Sequence, residues 1–111
     1  MKKILSHVVF LAFFLFGSVS VQAENSHLRQ DIKHTEAAME AVDARTIAEH
    51  AEEAKHHATE AKSTDPKDQH ILEGLKYLED AIKESSVDNT DSARQAATDA
   101  LNKFKQAAGK E

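Results

Sequence analysis

Four residues, His50, Glu53, His57 and Glu60, carry the clearest chemistry in this chain of 111 residues, which contains no cysteine. On a helix that advances about 100° per residue they fall within an arc of about 80°, so imidazoles and carboxylates share one edge. Neutral imidazole and carboxylate together are ligands for Cu(II), Ni(II) and Zn(II), with Cu(II) bound tightest by the Irving-Williams order. A second row stands upstream, where His27 and His34 are also seven residues apart and Asp31 follows His27 by four. His70 opens a later segment, and His56 lies off the rows.

Seven residues rise about 10 Å along a helix, so two histidines at that spacing cannot ligate one ion unaided. A site needs His50 or His57 joined by Glu53, or by a side chain of a neighbouring helix. The candidate ligands are His27, Asp31, His34, His50, Glu53, His57, Glu60 and His70. With Met39 the only methionine beyond the first residues and no thiolate, a buried soft Cu(I) site is not expected. No nucleophile with its base and no phosphate loop stands out, so no enzyme is expected.

The elements that position these residues follow from apolar periodicity. Leu28, Ile32, Thr35, Met39 and Val42 form one seam, and Ile47, Ala51, Ala54, Ala58 and Ala61 a second. Ile71, Leu75, Leu78 and Ile82 form a third, and Ala93, Ala97, Ala100, Phe104 and Ala107 a fourth. The spacing predicts helices over about 27–42, 45–63, 66–84 and 91–108. Asp65-Pro66 offers an N-cap followed by proline in the first turn. Continuing one helix through Asp43-Ala44-Arg45 would rotate the apolar face by about 100°, so a tight turn with Asp43 as N-cap is expected there.

The halves resemble each other. A shift of 43 places His27-Leu28 on His70-Ile71 and His34 on Tyr77, and a shift of 46 places Glu53 on Asp99. Two similar helical hairpins bury their seams best as an all-α, antiparallel up-down four-helix bundle. On the first two helices the histidines occupy the same edge of the apolar stripe, so a shared groove is available to them.

Residues 1–23 read as a signal peptide. Lys2 and Lys3 give the charged start, Val8 to Phe16 the apolar stretch and Val21-Gln22-Ala23 the cleavage site. Nine apolar residues are too few to span a bilayer, which needs about 20. Residues 24–111 then form a single domain in the periplasm or outside the cell, with no stable membrane insertion after cleavage. Loss of Lys2 and Lys3 takes the net charge from −5 to −7, which disfavours nucleic acid as a partner.

HLRQDIKH, EHAEEAKHHA and LKYLEDAIK resemble segments of the small metal-binding protein family, exported helical proteins with histidines at seven-residue spacing. The resemblance implies binding of copper and other divalent metals, and His27, His34, His50, His57 and His70 match its pattern. Ala41, Glu73, Tyr77, Glu84, Ala96 and Lys103 stand where it would place histidine, so the second half looks stripped of ligands. The expected function is metal buffering or sequestration, copper first. The competing expectation is a helical protein-interaction or structural module of the cell envelope without a physiological metal.

Overall fold

The computed structural model describes residues 19–109, with side chains from 26 onward; the first 18 residues of the expected signal peptide lie outside the described residues. Four helices follow one another: α1 (Val19–Glu40), α2 (Ala44–Thr64), α3 (Gln69–Ser86) and α4 (Thr90–Gly109). They form an antiparallel four-helix bundle in which α1 packs on α2, α2 on α3, α3 on α4, and α4 back on α1. The two hairpins, α1–α2 and α3–α4, are the most extensively packed pairs.

Alanine sets the geometry. α2 buries Ile47 together with Ala44, Ala51, Ala54, Ala58 and Ala61, and small side chains let helix axes approach to the short end of the usual 8–10 Å. The larger volume comes from the opposite helices: Phe104 and Leu78, with Ile47, are the bulkiest apolar side chains wholly buried. Gly74 completes the fit, because a Cβ built there would meet Phe104 Cε1 at 2.4 Å.

The turns are closed by local chemistry. Asp43 is the N-cap of α2: its Oδ2 accepts from the Thr46 amide at 3.0 Å, and its Oδ1 from the Thr46 hydroxyl at 2.9 Å. These bonds to the ionised carboxylate hold its pKa below the usual range. Arg94 of α4 donates through Nη2 to the Ala41 carbonyl at 3.0 Å, satisfying an acceptor just past the C-terminal end of α1. α1 ends at Glu40, so Val42, expected on its seam, lies in the turn and is 83% exposed.

The second turn differs from its expectation. Asp65 ends α2, its amide donating to the carbonyls of Ala61 and Lys62, both at 3.2 Å. α3 begins only at Gln69, where Asp68 Oδ1 accepts from the amides of His70 at 2.9 Å and Ile71 at 3.4 Å. Two aspartates three residues apart compete for the cap, and Pro66 stays in the turn. In the third turn Asp88 has φ 63°, while the Asn89 amide donates to the Glu84 carbonyl at 2.9 Å and the Asp88 amide to the Ser85 carbonyl at 3.0 Å. That is a Schellman closure with aspartate in the left-handed position that favours glycine.

Candidate metal centre

Because α1 and α2 run antiparallel and present their histidines on facing edges, the two rows meet across the groove between them. The Nδ1 atoms of His27 and His57 lie 3.4 Å apart. His34 stacks on His57 with ring centroids 5.4 Å apart and planes 6° from parallel, and its ring is 6.2 Å from that of His50. His34 Nδ1 also reaches Glu53 Oε1 at 3.3 Å. Five candidates, His27, His34, His50, Glu53 and His57, thus form one cross-helix cluster.

The remaining three candidates stand elsewhere. Glu60 is exposed on α2 about one turn beyond His57. His70 belongs to the first turn of α3, in the other hairpin, with Nδ1 buried and without a hydrogen-bond partner. Asp31 turns inward and is wholly buried. The Thr35 hydroxyl donates to the Asp31 carbonyl at 2.7 Å and lies 3.2 Å from its Oδ1, whereas Oδ2 has no partner. Burial pushes the Asp31 carboxyl up to about 9, against the opposing effect of the Thr35 bond.

His56, set aside by the row argument, is drawn to the cluster's rim. Its ring meets His57 edge-on, with centroids 5.6 Å apart. Glu52, Glu53, His56 and His57 line a shallow cavity of about 390 Å³. Sequence adjacency was the available signal: His56 follows Glu52 by four residues, as His57 follows Glu53.

The electrostatics favour neutral ligands. Burial, followed by the neighbouring imidazoles of His34, His27 and His56, lowers the His57 pKa, and Glu53 opposes them. A neutral imidazole has a lone pair to offer a metal; a protonated one has none.

The separation of the His27 and His57 nitrogens fits a shared ion. Two nitrogens each about 2.0–2.1 Å from a tetrahedral Zn(II) are about 3.3–3.4 Å apart. Among the described residues no three His, Asp or Glu side chains are gathered around a single point. The groove offers a pair at ligand spacing, with His34 and Glu53 as the adjoining donors.

A family model described as small metal-binding protein matches residues 1–107. The chain belongs to the small metal-binding protein family. Membership implies metal binding, and by name the family is not one of enzymes. No curated protein matches the chain. No helix among its described residues is long and apolar enough to cross a membrane.

Proposed function

We propose that this protein is an exported, non-enzymatic buffer or sequestering agent for divalent metal, copper first and nickel or zinc next, acting in the periplasm or outside the cell. The His27–His57 pair, with Nδ1 atoms 3.4 Å apart, carries the proposal. Its donors come from opposite sides of one groove, so a bound ion cross-links α1 to α2, and binding confined to the folded state stabilises the bundle. His34 and Glu53 supply the next donors, and a nitrogen-rich set of this kind ranks Cu(II) above Ni(II) and Zn(II).

Export is supported by the leader: Lys2-Lys3, the apolar stretch from Val8 to Phe16, and Val21-Gln22-Ala23. Cleavage after Ala23 falls inside α1 and leaves every candidate ligand on the remaining chain. Calorimetric titration of residues 24–111 with Cu(II), Ni(II) and Zn(II) tests the proposal. The expected result is sub-millimolar binding, tightest for Cu(II), together with a metal-dependent rise in Tm that a chelator reverses. Dissociation constants no tighter than millimolar would overturn it.

A further inference from the structure

The second hairpin repeats the first, and at one groove position the repeat replaces a histidine with a lysine. The shift of 43 carries His27 to His70 and His34 to Tyr77 along α1 and α3, and the shift of 46 carries Glu53 to Asp99 and His57 to Lys103 along α2 and α4. Lys103 therefore holds the place in the α3–α4 groove that His57 holds in the α1–α2 groove.

Lys103 Nζ meets Glu73 Oε1 at 2.9 Å, the shortest ion pair among the described residues. That contact raises the Lys103 pKa and lowers that of Glu73; Tyr77 and Asp99 add to the hold on the ammonium, and His70 is among the charges felt by Glu73. The Glu73 carboxylate thus holds the Lys103 ammonium directly, and the Tyr77 and Asp99 side chains act on it electrostatically. His70 stands one turn before Glu73 on α3, and its Nδ1 atom is buried without a hydrogen-bond partner, a nitrogen with unused capacity.

We propose that the α3–α4 groove is a second cation site which the chain fills with its own Lys103 ammonium, and that it accepts a divalent metal ion at His70 and Glu73 once that ammonium is removed. A tethered cation competes as an intramolecular ligand at high effective concentration, which confines metal loading of the intact protein to the first hairpin. The repeat argument rests on the reading of the α1–α2 groove as a metal site, whereas the occupied groove itself is independent of it.

The test is calorimetric titration of residues 24–111 with Cu(II) and Zn(II), using Lys103→Met and Lys103→Gln. Both variants discard the charge and keep most of the stem, and circular dichroism reports whether each retains its helices. The expected result is at least one additional metal equivalent in whichever variant is folded, lost again on adding His70→Ala, and absent from Lys103→Arg. The same gain is expected in a His27→Ala/His57→Ala background, so an inactive first groove and an inactive second groove give different results. An unchanged stoichiometry in folded Lys103→Met or Lys103→Gln, or a gain that survives His70→Ala, would overturn the proposal.

Discussion

His27 and His57 face each other across the α1–α2 groove with their Nδ1 atoms 3.4 Å apart, although 30 residues separate them in the chain. Replacing both by alanine removes the cross-helix nitrogen pair at ligand spacing, and Cu(II) affinity is expected to fall at least about tenfold, or about 1.4 kcal/mol. His56→Ala, at the rim, should cost less. Titration of the two variants and the parent side by side checks this, and equal losses would relocate the site.

Acid should act on the same pair. Since burial and neighbouring imidazoles depress the His57 pKa, its ring proton should titrate by NMR below the ordinary value of about 6.5. A histidine with a lowered native pKa leaves the unfolded chain binding more protons, so its effect on stability is lost as pH falls below about 6.5. Cu(II) affinity should decline over the same acid range, as protons compete for the nitrogens. Affinity unchanged between neutrality and about pH 5 would assign the metal to carboxylates instead.

Asp31 makes the opposite prediction at alkaline pH. Its native pKa of about 9 lies far above that of the unfolded carboxyl, so the native state binds the extra proton and stability falls as pH rises toward 9. Above about pH 7 unperturbed imidazoles are mostly neutral, so the fall in stability between about pH 7 and 9 reports this group. Asp31→Asn cannot ionise and keeps an acceptor for the Thr35 hydroxyl, so its Tm should exceed that of the parent at about pH 8 and vary less with pH. Parallel pH profiles for the two proteins would show that Asp31 is not the cause.

The bundle was legible because four seams of apolar residues repeat at helical spacing, and Asp43 announced its turn through the break in seam angle. The end of α2 was not, since Asp65 and Asp68 are equally good caps in sequence and only packing selects between them. The histidine rows were visible on each helix, but the pairing of His27 with His57 depends on the vertical register of two antiparallel helices. That register is set by which alanines of α2 admit which side chains of α1. Asp31 lies only about 40° around the helix from His27, between the groove edge and the seam, and with Leu28, Thr35 and Ala38 all buried the core-facing stripe of α1 takes it in.

The α3–α4 turn contains a correctable strain. Asp88 holds φ 63° in the left-handed position of the Schellman closure, where a side chain costs about 1–2 kcal/mol relative to glycine. Asp88 is exposed, so Asp88→Gly removes no packing and should raise stability by about 1 kcal/mol in denaturant titration. A destabilised Asp88→Gly would mean that the aspartate side chain itself anchors the turn.

Gly74 and Phe104 share one volume between α3 and α4. A Cβ at Gly74 would fall within 2.4–2.8 Å of three atoms of the Phe104 ring, and that ring is wholly buried, so it has little room to yield. The repeat places Asp31 at the position of Gly74 and Ala58 at that of Phe104: the first hairpin pairs a larger residue with a small one, and the second reverses the order. Gly74→Ala should therefore destabilise by about 1–3 kcal/mol through overpacking, even though alanine is the better helix former by about 1 kcal/mol. Phe104→Leu alone should also destabilise by leaving space, yet the double variant should recover part of the loss, because the smaller side chain makes room for the added methyl. Denaturant titration of the four proteins as a double-mutant cycle gives the coupling; strictly additive losses would show that Gly74 is needed for some reason other than the Phe104 ring.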